Sequence, residues 1–172
     1  MARSSKRRLV EAAARARQGA VAPYSKFKVG AALLTRAGQV ITGANVESAS
    51  YGLTCCAERV ALFTALTSGR KDFAAVAVVA RAPGGPMPCV ACRQLLAEYA
   101  ADAVVWVADS RALGAIKEFR VCDLLPAARL VIQESPATLR PHWRATMASG
   151  TVLIPTASAP RRSKARISAG VS

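Results

Sequence analysis

The sequence has no long apolar run, no pattern of an export signal and a single histidine, and each of these features argues against one class of protein or site. The longest apolar run, residues 73–80, has eight residues, far fewer than the roughly 18 that a membrane-spanning helix needs. We therefore expect no membrane association. Residues 1–18 are basic but contain no apolar core and no cleavage pattern, so we expect no secretory signal, with an Arg-rich transit peptide as the alternative. The single histidine, His142, is not expected to bind a metal.

Cysteine is present in an odd number, which argues against a framework of disulfides. The chain has five cysteines, and it shows no export signal that would bring them to an oxidising compartment. A metal-binding or redox role in the cytoplasm is the better interpretation. The five are Cys55, Cys56, Cys89, Cys92 and Cys122.

Positive charge is concentrated at the two ends of the chain. Of the net charge of +14, residues 1–20 carry six basic and one acidic side chain, and residues 127–172 carry seven and one. Residues 136–172 are also rich in Ser, Ala, Pro and Arg without periodicity, which predicts a disordered tail. We expect this tail to bind polyanions only weakly, through its charge.

Periodicity predicts an α/β domain, with a mixed β-sheet flanked by helices and a β-hairpin near the N-terminus. The turn at residues 36–38 contains a glycine and separates the two strands of the hairpin. Predicted helices cover 9–18, 56–68 and 92–100, and a helical turn covers 123–126; predicted strands cover 29–35, 39–46, 73–80, 103–108 and 116–122.

Two short segments carry the chemistry. Cys56 opens one predicted helix, and Cys89 and Cys92 lie at the start of another. A helix N-terminus favours the thiolate form, which is the form that binds a metal. Three protein ligands leave the fourth zinc position open, as a catalytic zinc site requires.

Glu58 follows the first of these cysteines by two residues. From there, a carboxylate reaches a zinc-bound water without binding the metal itself. A Cys or His, one residue, a Glu and then P-C-x-x-C is the pattern of zinc nucleobase deaminases. Two alternatives stay open: a thioredoxin-like redox pair, and a closed zinc site completed by Cys55 or Cys122.

The chain also resembles the short, all-cysteine cytidine deaminase family over residues 9–126. Besides the zinc motifs, this resemblance is carried by residues 23–33 (PYSKFKVGAAL), 43–52 (GANVESASYG) and 123–126 (DLLP). It implies a three-layer fold, one zinc ion per chain, a homotetramer and the deamination of cytidine and deoxycytidine in pyrimidine salvage. Glu58 would then move protons between the water and the pyrimidine.

The resemblance implies roles for further residues. Phe27 would pack on the pyrimidine, and Asn45 and Glu47 would bind the ribose hydroxyls, with Glu47 as a buried carboxylate. The backbone amide of Ala57 would meet the base carbonyl. Tyr51 would reach the site of a neighbouring subunit.

Two arginines follow zinc-motif residues in the sequence. Zinc held by three thiolates carries a net charge of about −1, which arginines that donate to the sulfur atoms would offset. Arg59 matches the family position for this task. Arg93 either shares the task or lies on a solvated helix face.

Three departures from the family pattern stand out. Val90 replaces a glycine that the family usually has between the two cysteines, so we expect a site of altered shape. Residues 127–129 lack an aromatic side chain that often lies near the pyrimidine. Residues 130–172 extend past the usual end of the family.

These features predict a division into a basic extension at 1–8, a zinc-dependent deaminase domain at 9–135 and the tail at 136–172. Two alternative functions remain. One is a related deaminase of the blasticidin or polynucleotide type. The other is a zinc-stabilised nucleic-acid-binding module, which the basic ends would suit.

Overall fold

The computed structural model describes residues 2–124 and contains one five-stranded mixed sheet with helices on both faces. The strand order is β2-β1-β3-β4-β5, antiparallel throughout except for the parallel pair β3–β4. The strands are β1 Val29–Thr35, β2 Val40–Ala44, β3 Phe73–Ala80, β4 Val104–Asp109 and β5 Lys117–Arg120. The α-helices are α1 Ala2–Ala16, α2 Ala57–Thr67, α3 Val90–Tyr99 and α4 Val121–Leu124. This confirms the predicted α/β fold.

The sheet separates two apolar cores. Alternate residues of β3 point to opposite faces, so Val76 and Val78 join the core under α2 and α3. Ala77 and Val79 join the second core, under α1. Because both faces are covered, β3 reads as a continuous apolar run, as buried strands do. Its bounds match the prediction.

Several elements begin or end at residues other than those predicted. Helix α1 begins at Ala2 instead of residue 9, since polar residues continue the helix and one of them, Arg7, pairs with Glu11 one turn later (2.9 Å). Helix α3 begins at Val90, two residues before the predicted start. Strand β5 ends at Arg120, and α4 follows it at once, earlier than the predicted turn at 123–126.

The domain division stays a prediction, because residues 125–172, including the tail and His142, lie outside the described residues. Within residues 2–124, no helix combines the length and the apolar character that crossing a membrane would take.

One end of the sheet gathers the segments that carry the predicted site. There, the start of β1 pairs with the ends of two strands, Val29 with Ala80 and Gly30 with Ala44. The chain leaves this end after β2 toward α2, and after β3 toward α3. The topology therefore brings the two cysteine segments to one region of the molecule.

Two glycines let helices approach the hairpin from opposite faces. A Cβ on Gly30 would lie 2.1 Å from the carbonyl oxygen of Ala13 in α1. A Cβ on Gly43 would lie 2.4 Å from the amide nitrogen of Ala61 and 2.6 Å from the carbonyl oxygen of Ala57, both in α2. Gly43 thus sets how closely the first turn of α2 lies on the sheet.

Gly43→Ala should therefore destabilise the protein by about 2 kcal/mol, because the added methyl meets helix backbone that has nowhere to move. We expect the melting temperature, measured by circular dichroism, to fall by about 5 °C. Gly114→Ala is the matched control, since a Cβ there meets nothing within 4 Å. Equal melting temperatures for the two variants would refute the close-approach argument.

Candidate active site

The three predicted metal ligands come together at the N-termini of two helices. Cys56 is the N-cap of α2, and Cys89 is the N-cap of α3, both with extended backbone. Cys92 lies in the first turn of α3. Neither cap side chain makes a capping hydrogen bond to the backbone of its helix, so both thiols can face a shared ligand.

The sulfur atoms are spaced as a zinc ion would require. The Sγ atoms of Cys56 and Cys89 are 3.8 Å apart, and those of Cys89 and Cys92 are 3.5 Å apart. All three lie within 4.8 Å of one another. Tetrahedral zinc with Zn–S bonds of about 2.3 Å places its sulfur ligands about 3.8 Å apart. The donor set therefore fits zinc without rearrangement.

The remaining cysteines do not join this cluster. Among the described residues, Cys56, Cys89 and Cys92 form the one group of three or more potential ligands with atoms this close. Cys122 instead lies beside Asp123, with its Sγ 3.5 Å from a carboxylate oxygen. Both Cys55 and Cys122 are half-buried. A site with three protein ligands keeps one coordination position open.

The thiols share protons unequally in the absence of metal. The pKa of Cys56 is lowered to about 5, chiefly by its hydrogen bond with Cys92 and then by Arg59. The pKa of Cys92 is raised, because its thiol serves as the partner in that hydrogen bond and is also buried. These contacts favour the thiolate at Cys56 and the thiol at Cys92, and metal binding would release the proton of Cys92.

Glu58 lies in the first turn of α2, two residues after Cys56. Its residue is 6% exposed, and this burial raises the pKa of its carboxyl to about 7, with the negative charge of Cys56 adding to the rise. Burial disfavours the charged form because few water molecules remain to solvate it. A carboxyl with this pKa takes up and releases a proton near neutral pH, as a general acid and base must.

Arg59 holds its guanidinium against the first ligand. Its Nη2 donates to the carbonyl oxygen of Thr54 and lies 3.8 Å from the Sγ of Cys56. Its Nε is buried and has no hydrogen-bond partner among the described residues. The positive charge therefore lies where it offsets thiolate charge, as the resemblance implies for this residue.

Arg93 makes different contacts. Its Nε donates to the carbonyl oxygen of Pro88 (2.8 Å), and its Nη1 donates to that of Leu124 (3.3 Å). These bonds tie the segment before Cys89 to α4. The hydrogen bonds that Arg93 makes within residues 2–124 thus go to the backbone, and the role of sulfur donor remains only a prediction for it.

Asn45 lies just past the end of β2 and is buried. Its Oδ1 accepts from the amide of Val29 (2.7 Å), and its Nδ2 donates to the carbonyl oxygen of Phe27 (2.9 Å). An amide side chain has two donor hydrogens and two acceptor sites. One of each therefore stays available at Asn45.

Glu47 is half-buried, not buried as the sequence led us to expect. Its Oε2 accepts from the amides of Tyr24 (2.9 Å) and Ser25 (3.2 Å), and its Oε1 accepts from the Ser25 hydroxyl. These bonds, the hydroxyl first, lower the pKa of Glu47. The side chain is therefore an oriented carboxylate with a free acceptor site on Oε1.

A short backbone pairing joins this polar segment to the metal segment. Val46 exchanges two backbone hydrogen bonds with Cys55, of 3.0 and 2.9 Å. Asn45 and Glu47 flank Val46, and Cys56 follows Cys55. The structure therefore brings the predicted sugar-binding residues and the first metal ligand onto two adjacent chain segments that are joined by an isolated β-bridge.

The other predicted contacts differ in exposure. Ala57 is fully buried as the first residue of α2, whereas Phe27 is 42% exposed and Tyr51 is 94% exposed. Side chains with this much free apolar area suit contact with a ligand or another subunit. A groove of about 350 Å³ lies beside Glu47 and is lined by Tyr24, Ser25, Glu47, Ser48, Ala49, Tyr51 and Thr54.

Val90 does not distort the cysteine turn. It is the first residue of α3 and 68% exposed. Among the described residues, Lys26 is the one non-glycine residue with a positive φ. A glycine between the two cysteines is thus not needed for this backbone, since the position is helical.

Ser25 is a residue of the site that the sequence analysis missed. Its hydroxyl bonds to Glu47 and accepts from the amide of Phe27 (2.9 Å). The sequence signal was a serine two residues before Phe27, because a serine hydroxyl often accepts a hydrogen bond from the backbone amide two residues later.

Comparison with known proteins agrees with this geometry. A family model described as "Cytidine and deoxycytidylate deaminase zinc-binding region" matches residues 3–108. The chain is 53% identical to a cytidine deaminase of Halalkalibacterium halodurans, over 70% of this chain and 90% of that protein. It is 43% identical to a cytidine deaminase of Sporosarcina psychrophila, over 70% and 88%. The crystal structure of a Burkholderia pseudomallei cytidine deaminase matches with a TM-score of 0.66 and 49% identity, over 69% and 94%.

Zinc content tests the ligand set directly. Cys89→Ala should lose most of its zinc, because two thiols bind the metal far more weakly than three. Cys122→Ser, which removes a thiol outside the cluster, should keep about one zinc per chain. Both values come from metal analysis of purified protein, and stoichiometric zinc in Cys89→Ala would refute the assignment.

Proposed function

Since the chain belongs to the cytidine and deoxycytidylate deaminase family, we propose that it hydrolyses cytidine and deoxycytidine to uridine and deoxyuridine, with release of ammonia. The observation that carries this proposal is the buried Glu58 beside three thiols that fit one zinc ion. A metal site open on one side and a carboxyl with a pKa near 7 are the two groups that hydrolytic deamination needs.

The metal site supplies the nucleophile. Zinc, when bound, supplies a water that ionises near neutral pH. Cys56, Cys89 and Cys92 hold the ion, and each acts as a thiolate. Arg59, 3.8 Å from the Sγ of Cys56, offsets part of the thiolate charge, so that a bound zinc ion would keep its Lewis acidity.

Glu58 moves the protons. Its carboxylate accepts a proton from the water as the oxygen adds to C4 of the pyrimidine, and returns a proton to N3. It then takes the remaining proton from the oxygen on C4 and passes it to the amino group, so that the C4–N bond breaks, ammonia leaves and the C4 carbonyl forms. Burial raises the pKa of Glu58 above the usual range of a carboxyl, which makes it a stronger base than an exposed carboxylate.

The substrate is held by groups at the start of α2, in the loop before β1 and in the segment after β2. The amide of Ala57, at the N-terminus of α2, has no partner within the helix and would donate to the base carbonyl. Phe27 offers an aromatic face to the pyrimidine. The free donor and acceptor at Asn45 and the free acceptor on Oε1 of Glu47 match the hydroxyl groups of the sugar.

Tyr51 suggests an assembly. A tyrosine that is 94% exposed in the single chain gains its contacts only from another molecule. We propose that it reaches a neighbouring subunit's site in a homotetramer, and that the enzyme serves pyrimidine salvage in the cytoplasm.

We also propose that the tail, residues 136–172, binds polyanions weakly through its charge.

The alternative functions are less well supported. A zinc-stabilised nucleic-acid module has no use for a buried carboxyl such as Glu58 beside an open metal site. A deaminase of the blasticidin or polynucleotide type would not need Asn45 and Glu47 together. Relatives named cytidine deaminase, at up to 53% identity, also favour the nucleoside reaction.

Glu58→Gln should lower kcat by at least about 10² to 10⁴, because the amide cannot carry the proton. The variant should keep its zinc, since Glu58 is not a ligand. Glu98→Gln is the control, as Glu98 lies on α3 and bonds only to Gln94 among the described residues. Cytidine turnover near that of the control would mean that another group transfers the proton.

Sugar recognition predicts a preference for nucleosides over the free base. Cytosine should be a far poorer substrate than cytidine, and Glu47→Ala should lower kcat/KM for cytidine by one to two orders of magnitude, about the value of a charged hydrogen bond. Both reactions are measured by the decrease in ultraviolet absorbance of cytosine or cytidine. Equal use of cytosine and cytidine would contradict the sugar assignment.

A further inference from the structure

The loop that carries Phe27 is held by polar contacts instead of packing. All six residues from Pro23 to Lys28 are exposed, so little apolar burial fixes the loop. Lys26 adopts φ 58°, a conformation that side chains other than glycine rarely adopt. Such a turn keeps its shape only where hydrogen bonds determine it.

Those hydrogen bonds lead to the two residues that we assign to the sugar. The carbonyl oxygen of Phe27 accepts from Asn45 Nδ2 (2.9 Å), and the amide of Phe27 donates to Ser25 Oγ (2.9 Å). Ser25 Oγ in turn donates to Oε1 of Glu47. Both sides of the Phe27 backbone are therefore tied to Asn45 and Glu47, one directly and one through Ser25.

We propose that Ser25 is a positioning residue that couples the sugar-binding carboxylate of Glu47 to the base-binding ring of Phe27. This inference rests on the proposed function. The Ser25 hydroxyl occupies one acceptor site of Oε1 and leaves the other directed toward the substrate. It also orients the Phe27 peptide, and with it the ring.

The contacts that remain without this hydroxyl show what it controls. In Ser25→Ala, the amides of Tyr24 and of residue 25 still hold Oε2 of Glu47. The loop therefore stays attached. Oε1 loses its internal donor and the Phe27 amide loses its acceptor, so the link between the carboxylate and the Phe27 peptide is lost, while Asn45 still holds the Phe27 carbonyl.

The effect should appear in binding and should depend on the sugar. The thiols and Glu58 make no contact with Ser25 in the described hydrogen bonds, so kcat should stay within about twofold. For cytidine, KM should rise about tenfold, the low end for a hydrogen bond to a charged group because the site is exposed. For 2′,3′-dideoxycytidine, which lacks the hydroxyls that Glu47 would bind, KM should change less than about threefold.

The test measures kcat and KM for both nucleosides in the full-length, zinc-loaded protein and its variants. Ser25→Thr keeps a hydroxyl and should restore most of the cytidine KM. Ser68→Ala is the matched control, since Ser68 is an exposed serine at the end of α2 whose hydroxyl donates to the carbonyl oxygen of Thr64 (2.6 Å). Zinc content and melting temperature show that each variant is folded.

Three results would overturn the role of Ser25. They are a Ser25→Ala variant that matches Ser68→Ala, an equal rise in KM for both nucleosides, and a loss confined to kcat. Absence of cytidine turnover in the unaltered protein would instead overturn the proposed function, and the role of Ser25 with it.

Discussion

The site depends on one constraint: two helices must begin at the same end of the sheet, with their N-termini close enough for three thiols to touch one ion. The register of β1 with β2 and β3 sets this end, since Val29 pairs with Ala80 there. Gly43 lets α2 lie directly on the hairpin. With the helices so placed, Cys56 and Cys89 come within 3.8 Å, and every other group of the site is arranged around them.

Charge balance at the metal site is the second constraint. Three thiolates and a carboxylate share this half-buried site only when a zinc ion and further positive charge compensate them. Arg59 contributes the fixed positive charge, and the helix N-termini add partial charge. Burial raises the pKa of Glu58, so its carboxylate binds a proton more readily than an exposed one. The burial that shapes the site therefore also suits Glu58 to proton transfer.

Local patterns in the sequence predicted the features that arise locally. The apolar run of β3 and the start of α2 beside Cys56 were found because burial and helical periodicity leave direct marks in the sequence, whereas the start of α3 was placed two residues late. The start of α1 was missed, since polar residues carry no apolar periodicity. The contacts of Arg93 with Leu124 and of Ser25 with Glu47 were missed because they join segments about 20 to 30 residues apart, and only the fold brings those together.

The central claim, an open zinc site of three thiolates, is tested most directly by X-ray absorption at the zinc edge of the purified protein. The account predicts three sulfur neighbours at about 2.3 Å and one lighter oxygen or nitrogen neighbour at about 2.0 Å. The same spectrum should persist in Cys122→Ser. Four sulfur neighbours would show a closed structural site and would contradict the account.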